Sequence, residues 1–409
     1  MTTVVKKIVI VGAGQAAAQA IDTLRGKGFR GSIILVGEEP HLPYQRPPLS
    51  KKYLAGALET ERLLIRPAHY YAQHEVDTRL GTRVESIDRD VGYVVLGDGS
   101  LISYDALLLA TGARPRRLSC PGIELAGVHV LRNVADVERI RKDLDRGRRL
   151  VIVGGGYIGL EVASSARELG LEATVLEVAS RVMNRVTCAA VSEFFEAEHG
   201  RHGVNIVCNA RVRALVGTDR VQAVVCEDGS EIAADVVVIG VGADPADELA
   251  AAAGIECANG IVVDEFCRTS DPRVYAAGDC TNHPSAHYGR RLRLESVENA
   301  FEQGTTAALN MMGTPTVHRG VPWFWSDQFD LRLAIVGVSQ AADLVVLRGD
   351  PGKRSFSACY VRGGELVAVD SVNAMKDQMA ARRLIPARVH PNLEKLMDVR
   401  IPLRDSIQT

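Results

Sequence analysis

The sequence lacks the closely spaced cysteines that would define a metal site or a local redox disulfide. Its eight cysteines stand at positions 120, 188, 208, 226, 257, 267, 280 and 359, with no Cys-x-x-Cys motif. This spacing argues against a zinc ribbon and favours free thiols in a reducing compartment. Long apolar runs are also missing. Runs such as Val236–Ile239 are of strand length, far below the roughly 18 residues of a membrane span.

The chain also has little net charge and few aromatic residues. Its 409 residues include 48 Lys and Arg against 50 Asp and Glu, a formal charge of −2, and 5% are aromatic. This balance gives no electrostatic reason to expect binding to nucleic acid or to a membrane surface. Hydrophobic residues make up 46%, which is typical of folded globular domains. No secretory signal pattern precedes the first glycine-rich segment, so we expect a cytoplasmic protein.

What the sequence does contain is an internal repeat. The run KIVIVGAGQAA begins at Lys7, and a similar run, LVIVGGGYIG, begins at Leu150. Each is followed by helical periodicity, a second β-branched run and then an acidic residue, Glu38 or Glu177. This order is the strand, glycine loop, helix and strand of a dinucleotide-binding unit, and it occurs twice.

The residue types in this pattern follow from what a bound pyrophosphate needs. The first glycine permits a tight turn, the second lets backbone N–H groups approach phosphate, and the third small residue lets helix and strand pack closely. The helix N-terminus adds free N–H groups and the positive end of its dipole. The acid accepts hydrogen bonds from ribose hydroxyls and repels a 2′-phosphate, so Glu177 favours NADH over NADPH. Arg181 and Arg185 lie near enough in sequence to leave that preference open.

Other glycine turns assign the first dinucleotide unit to FAD. Asp105–Arg114 and Asp235–Asp244 are apolar strands that end in a glycine turn and bracket the second unit, as expected for a NAD domain inserted into a FAD domain. A short strand that begins at Val274 ends in Gly278 and Asp279. The Asp279 carboxylate would accept a hydrogen bond from a ribityl hydroxyl of FAD.

A helical pattern follows, from Glu295, Ser296 and Val297 to about Met311. Its free N–H groups and dipole would stabilise negative charge on a reduced flavin. The first dinucleotide unit, the Gly-Asp turn and this helix together predict one FAD site. The second unit then predicts the site of the exchanging nucleotide, NADH.

The motifs GAGQAA, GEEPHLPYQRPPLSK, ATGARP, GGGYIGLEVA, VGADP, YAAGDC, ESVENA and PWFWSDQ together resemble the FAD-dependent ferredoxin reductases of bacterial oxygenase systems. The resemblance implies an α/β, glutathione-reductase-like fold with two Rossmann-type dinucleotide-binding domains and a C-terminal α+β domain. It places the FAD domain at 1–112 and 246–320, the NAD domain at 113–245 and the C-terminal domain at 321–409. In the last domain, strands are expected at Leu331–Val338 and Leu344–Leu347, with a hairpin from Phe356 to Val369.

The same resemblance implies the residues of the site. Lys51 is expected near flavin N5, paired with Glu161, where its charge would favour the anionic reduced ring. Further FAD contacts are implied at Gly12, Gly14, Gln15, Ala16, Glu38, Arg46, Val84, Ala110, Thr111, Gly112, Arg132, Gly278, Asp279, Glu295, Ser296 and Val297. NADH contacts are implied at Gly154, Gly156, Tyr157, Ile158, Gly159, Glu177, Val241 and Gly242.

The electron acceptor is inferred from a missing thiol. Disulfide reductases of this fold need a cysteine pair beside the flavin, but Tyr44–Leu64 contains no cysteine, and the first cysteine of the chain is Cys120. We therefore expect electrons to leave the flavin singly, to a [2Fe–2S] ferredoxin that serves a monooxygenase or dioxygenase. A rubredoxin or quinone reductase and a flavin redox sensor like the apoptosis-inducing flavoprotein are the alternatives.

A positive surface would attract such a ferredoxin, since the resemblance implies an acidic partner. The expected docking residues are Arg66, Arg290, Arg291, Arg293 and Trp325, with Lys51-Lys52 and Arg382-Arg383 as additions. His283 and His287 are predicted to lie in a surface or docking loop rather than in a metal site, because no carboxylate is spaced to complete one.

Overall fold

The computed structural model describes residues 5–407, with every element bounded as follows. The strands are β1 (Lys7–Val11), β2 (Ser32–Gly37), β3 (Val76–Leu80), β4 (Val84–Asp88), β5 (Tyr93–Leu96), β6 (Leu101–Ser103), β7 (Ala106–Leu109), β8 (Ala113–Pro115), β9 (Val128–Val130), β10 (Arg149–Val153), β11 (Glu172–Leu176), β12 (Val204–Val207), β13 (Val212–Gly217), β14 (Val221–Cys226), β15 (Glu231–Ala233), β16 (Val236–Ile239), β17 (Ala243–Pro245), β18 (Ile261–Val262), β19 (Val274–Ala276), β20 (Thr281–Ser285), β21 (Arg290–Leu292), β22 (Trp323–Gln328), β23 (Leu331–Gly337), β24 (Leu344–Asp350), β25 (Ser355–Arg362) and β26 (Glu365–Val372). The α-helices are α1 (Gln15–Gly26), α2 (Ala68–Gln73), α3 (Val134–Leu144), α4 (Tyr157–Glu168), α5 (Ala189–Arg201), α6 (Glu248–Ala252), α7 (Val297–Met311), α8 (Met375–Leu384) and α9 (Leu393–Met397). Short 3₁₀ helices span Pro47–Ser50, Thr60–Leu63, Pro351–Lys353 and Leu403–Asp405.

The chain folds into two compact units. Unit 1 contains the chain up to Gln45, Glu61–Arg114 and Ala243–Pro322, and unit 2 contains Arg46–Thr60, Pro115–Gly242 and the chain from Trp323 onward. These units are defined by compactness alone. The three domain ranges expected from the sequence therefore stay predictions.

Unit 1 is built on a parallel sheet with the strand order β19-β7-β1-β2-β3. Its central strand is β-branched and fully buried from Ile8 to Ile10, as expected for a strand covered on both faces. Helices α1 and α7 pack together through small residues. A Cβ at Gly304 would lie 2.5 Å from the Ala16 carbonyl oxygen, so α7 can approach α1 this closely only with glycine there.

Unit 2 repeats this architecture and adds an antiparallel sheet. Its parallel sheet has the order β12-β11-β10-β16-β9, and the antiparallel sheet has the order β22-β23-β26-β25-β24. The C-terminal strands and hairpin predicted from the sequence are confirmed by β23, β24, β25 and β26. The predicted α/β fold with two Rossmann-type units is confirmed as well.

Two observations concern the described residues as a whole. Within residues 5–407, no helix is both long and apolar enough to cross a membrane. All eight cysteines lie in this range and are free thiols. Four of them, Cys226, Cys267, Cys280 and Cys359, are buried, which is ordinary packing for a small apolar side chain.

Candidate functional site

The first glycine loop joins β1 to α1 and has the shape of a phosphate cradle. Gly12 has φ +105°, and a Cβ there would lie 2.2 Å from the Ala110 carbonyl oxygen, so this position tolerates only glycine. At Gly14, nothing lies within 4 Å of the place a Cβ would occupy. Helix α1 begins at the next residue, Gln15. Open space beside a helix N-terminus fits a pyrophosphate.

The second glycine loop, between β10 and α4, has the same geometry. Gly154 has φ +113°, and its Cβ would lie 2.4 Å from the Gly240 carbonyl oxygen, whereas Gly156 faces open space. A Cβ at Gly159 would lie 2.0 Å from the Gly154 carbonyl oxygen. Helix α4 therefore lies so close to the loop that only glycine fits at position 159. Both loops fit a dinucleotide.

Glu177, at the end of β11, is fixed by the second glycine loop. Its Oε2 accepts a hydrogen bond from the Gly155 N–H at 2.7 Å, and its Oε1 accepts one from the Ala179 N–H at 2.8 Å. These two donors hold the carboxylate next to the loop, where a ribose would lie in this fold. By contrast, Glu38 at the end of β2 is exposed, and its carboxylate lies 3.7 Å from the Arg83 guanidinium.

The arginines that follow Glu177 have different surroundings. The Arg181 guanidinium donates to the Ser192 hydroxyl at 2.5 Å and to the Asn184 carbonyl at 3.1 Å. Arg185 is exposed, and its guanidinium lies 3.8 Å from the place a Cβ would occupy at Gly242. The Arg181 guanidinium is therefore engaged by Ser192 and Asn184, whereas the Arg185 guanidinium lies near Gly242, in a loop predicted to bind NADH.

The Gly-Asp turn after β19 is supported by a residue that sequence reasoning missed. Gln303, on α7, is fully buried and accepts hydrogen bonds at 2.8 Å from the Gly278 N–H and from the Thr281 hydroxyl. Asp279 follows directly and is partly buried. The Ser296 hydroxyl caps α7 by accepting from the Asn299 N–H. The signal for Gln303 was its position on the buried face of the predicted helix.

Other predicted contacts lie on loops that leave sheet strands. Ala110, Thr111 and Gly112 follow β7, and the Thr111 hydroxyl donates to the Ala246 carbonyl at 2.6 Å. Val84 begins β4 and is buried. In unit 2, Val241 and Gly242 follow β16, and the Gly242 carbonyl accepts from the Arg116 N–H at 2.9 Å.

The segment from Arg46 to Lys51 contributes to unit 2. The Arg46 guanidinium donates to the Arg132 carbonyl at 2.8 Å, which brings together two predicted FAD contacts. The Lys51 ammonium lies 2.7 Å from Glu161 Oε2 and 3.2 Å from the Pro47 carbonyl oxygen. The expected pairing of Lys51 with Glu161 is therefore present in the structure.

Glu161 is 5% exposed, so its charge needs partners. Besides Lys51, the Ser50 hydroxyl donates to Oε2 at 2.5 Å, and the Ser326 hydroxyl donates to Oε1 at 2.6 Å. Gln328 and His199 extend this network. Neither serine was predicted, because Ser326 lies 165 residues away from Glu161 in the sequence.

The unit 1 arginines predicted to dock a partner are largely engaged within the unit. Arg66 forms a 2.5 Å ion pair with Asp22. Arg293 forms a 2.6 Å ion pair with Glu295 and has a side chain only 16% exposed. The guanidinium of Arg291 donates to the Val263 carbonyl at 2.6 Å, and Arg290 is exposed on β21. These contacts reduce the positive charge that this stretch presents to solvent.

The prediction that His283 lies in a surface loop is wrong. His283 is on β20, is 3% exposed, and packs edge-to-face on His318 with ring centroids 5.0 Å apart. The cause is strand alternation, which turns Thr281 and His283 inward. Burial lowers the pKa of His283 to about 3 and that of His318 to about 4. His287 is half-buried beside Tyr288. Across residues 5–407, no cluster of three metal-ligating side chains occurs.

An aromatic and cationic face is formed on β22, β23 and α8 in unit 2. Trp323 and Trp325 stack with ring centroids 5.5 Å apart. The Arg382 guanidinium lies 4.4 Å from the Trp323 ring centroid, and that of Arg332 lies 5.8 Å from the Trp325 ring centroid. This distance for Arg382 is within the range of a cation–π interaction.

Two dinucleotide cradles in a doubly repeated α/β fold define a pyridine-nucleotide oxidoreductase. In agreement, residues 6–304 match the family described as pyridine nucleotide-disulphide oxidoreductase, and residues 323–407 match the family described as reductase C-terminal. The chain belongs to the pyridine nucleotide-disulphide oxidoreductase family, within its ferredoxin reductases. The members use FAD and a nicotinamide nucleotide, so the resemblance, the enzyme class and the cofactors predicted from the sequence are confirmed.

Several similar proteins span nearly the whole chain. Rhodocoxin reductase from Rhodococcus erythropolis is 42% identical, over 98% of this chain and 94% of that protein. Putidaredoxin reductase from Pseudomonas putida is 41% identical, over 98% of this chain and 96% of that protein. The crystal structure of a covalent putidaredoxin reductase–putidaredoxin complex superposes with a TM-score of 0.95 at 40% identity, covering 98% of this chain and 97% of that one.

Proposed function

We propose that this enzyme passes electrons from NADH through FAD to a [2Fe–2S] ferredoxin that serves an oxygenase. The main support is that the segment carrying Lys51, Arg46–Thr60, contains no cysteine, so no disulfide can take the electrons there. The full-length likeness to reductases named for rhodocoxin and putidaredoxin supports the same acceptor class. A cytoplasmic location is part of the proposal and agrees with eight free thiols.

The proposed roles of the residues combine what the resemblance implies with the contacts described above. Bound FAD would take a hydride from NADH and release electrons singly, which is the chemistry of the cofactor. The N–H groups at the start of α1 and α4 bind the two pyrophosphates. The proposed role of Glu177 is to bind the ribose of NADH. The proposed role of Lys51, which is held by Glu161, is to supply the positive charge that favours an anionic reduced flavin.

The proposed docking surface is the face formed by Trp323, Trp325, Arg382 and Arg383 in unit 2, which we call the tryptophan face. Arg382 and Arg383 are exposed on the last turn of α8. Next to them on this helix, Met375 and Met379 are each 59% exposed. Trp323 and Trp325 are half-buried. Exposed methionine and half-buried tryptophan beside arginine suit the apolar centre and charged rim of a protein interface. The arginines complement an acidic ferredoxin and would raise its association rate.

Turnover with defined acceptors tests this function. The purified holoenzyme is mixed with NADH and an acidic [2Fe–2S] ferredoxin, a rubredoxin or a quinone, and reduction of each is followed by absorbance. We expect the ferredoxin to be reduced with the highest kcat/KM and to be slowed by salt. Preferential reduction of rubredoxin or quinone would replace the proposed acceptor. A long-lived reduced enzyme–nucleotide complex with negligible turnover would favour a redox sensor.

A further inference from the structure

A chain of hydrogen bonds connects Glu161 to the interior of unit 2. The Ser326 hydroxyl lies 2.6 Å from Glu161 Oε1, Gln328 Nε2 lies 3.1 Å from Ser326 Oγ, and His199 Nε2 lies 2.8 Å from Gln328 Oε1. Ser326, Gln328 and His199 are each at most 1% exposed. We call these three residues the donor chain.

When Glu161 is ionised, donor and acceptor are fixed in every hydrogen bond of the donor chain. A carboxylate can only accept, so Ser326 must donate its hydroxyl proton to Oε1. The Ser326 oxygen is then free to accept from the Gln328 amide NH₂, which turns the Gln328 carbonyl toward His199. His199 must therefore present Nε2–H. The opposite direction, in which Gln328 accepts from Ser326, would require a protonated Glu161 that donates to Ser326.

The surroundings of His199 agree with the first direction. Burial lowers its pKa to about 4, so its ring is neutral at neutral pH and carries a single N–H. Its other nitrogen, Nδ1, is buried and has no hydrogen-bond partner among the described residues. A neutral ring with its proton on Nε2 leaves no buried N–H unsatisfied. The nearby Glu198 carboxylate pairs with Arg201 and Arg354.

The two carboxylate oxygens of Glu161 differ in the number of donors that they receive. Oε2 receives both the Lys51 ammonium and the Ser50 hydroxyl, whereas Ser326 is the only hydrogen-bond donor to Oε1 within residues 5–407. Loss of the Ser326 hydroxyl would leave a buried carboxylate oxygen unsatisfied. Because an unsatisfied carboxylate oxygen is costly to bury, the Glu161 side chain would then turn toward its remaining donors.

We propose that Ser326, Gln328 and His199 are positioning residues that fix the Glu161 carboxylate and, through it, the Lys51 ammonium. The link to catalysis rests on the function proposed above for Lys51. The claim that Ser326 fixes the position of the Glu161 carboxylate does not rest on that function. Through Ser326, β22 of the C-terminal sheet positions the Lys51–Glu161 ion pair.

Crystal structures and redox titrations of the full-length holoenzyme test the claim directly. In Ser326→Ala we expect the Glu161 carboxylate to turn away from β22 and the Lys51–Glu161 ion pair, 2.7 Å in the native protein, to be displaced, because Oε1 has lost its hydrogen-bond donor. The midpoint potential of the flavin should fall in the same direction as in Lys51→Met, but by less. Ser326→Cys retains a weak donor and should give a smaller displacement, as should Gln328→Met.

The matched control is Ser371→Ala. Ser371 is a buried serine of the same C-terminal sheet, but its hydroxyl donates to the Ala334 carbonyl. Loss of thermal stability in all serine variants with an unchanged Lys51–Glu161 ion pair would show a merely structural role and overturn the proposal. So would an equal displacement of this ion pair in Ser371→Ala.

Lys51→Met separates the two proposals. If the midpoint potential of the flavin is unchanged in Lys51→Met while the Lys51–Glu161 ion pair is displaced in Ser326→Ala, the role proposed for Lys51 fails and the role of Ser326 stands. If the potential falls in Lys51→Met and the ion pair is unchanged in Ser326→Ala and Ser326→Cys, the role of Ser326 fails alone.

Discussion

Acid should destabilise unit 1 through its buried histidine pair. Burial holds the pKa of His283 at about 3 and that of His318 at about 4, below the ordinary value of 6.5. Because the unfolded chain binds protons first as the pH falls below 6.5, stability is full above that value and is lost toward pH 3–4. At pH 5, about 1.5 pKa units below the unfolded value, each histidine costs about 2 kcal/mol at 1.36 kcal/mol per unit. His283→Gln removes one of the two titrations.

Urea denaturation at pH 7.5 and pH 5 measures this effect. We expect the native protein to lose about 2 kcal/mol more between the two pH values than His283→Gln loses, whatever the absolute stability of the variant. His69→Gln, at an exposed position, serves as the control and should behave like the native protein. An equal loss in the native protein and in His283→Gln would refute the reasoning.

Three further perturbations test the nucleotide loops and the docking face. Gly156→Ala and Gly159→Ala form a matched pair, because a Cβ meets nothing within 4 Å at position 156 but lies 2.0 Å from the Gly154 carbonyl oxygen at position 159. Calorimetry should therefore show a loss of about 1–3 kcal/mol or more in the free energy of unfolding for Gly159→Ala only. Steady-state kinetics should show a raised KM for NADH in both variants. Glu177→Ala should lower kcat/KM for NADH, by about tenfold for the loss of one charged hydrogen bond, and should lower it less for NADPH; an equal loss with both nucleotides would contradict the ribose contact. The double substitution Arg382→Ala and Arg383→Ala should lower kcat/KM for an acidic ferredoxin and weaken the salt dependence of kcat/KM. It should not slow the reduction of a small inorganic acceptor. Unchanged salt dependence would exclude the tryptophan face as the docking surface.

The features that sequence reasoning predicted are those fixed by local pattern. The β-branched runs before the glycines predicted β1 and β10, because a strand buried on both faces needs a continuous apolar run. The glycines themselves were predictable because Gly12 and Gly154 adopt φ values above +100°, which side chains rarely tolerate. The C-terminal hairpin was predictable because two apolar, strand-length runs are separated by Gly363 and Gly364.

The features that it missed depend on contacts far apart in the chain. Gln303 supports a turn 25 residues earlier, and Ser326 contacts a carboxylate 165 residues earlier. Neither residue type is unusual in a helix or strand, so composition gave no signal. Helical periodicity places Gln303 on the buried face of α7 but does not show that it contacts the turn. His283 was misplaced for a related reason. Pro284 suggested a loop, but β20 continues through it. Pro284 is opposite Arg291 of β21, and the pairing of β18 on the other side of β20 ends at Asn282, so among the described residues one side of Pro284 has no neighbouring strand that needs its missing N–H. His283 packs against His318.

Strand β22 of the C-terminal sheet contributes both to the proposed docking surface and to the hydrogen bonds of Glu161. On β22, side chains alternate between the two faces, so Trp323 and Trp325 point one way and Phe324 and Ser326 the other. The first pair stacks within the tryptophan face, whereas Ser326 donates to Glu161 and the Phe324 ring packs edge-on against the Tyr157 ring, with centroids 4.9 Å apart. One strand thus carries both the surface proposed for the ferredoxin and the donor to Glu161. A one-residue shift of β22 would exchange the two faces, so its register with β23 is a requirement of both.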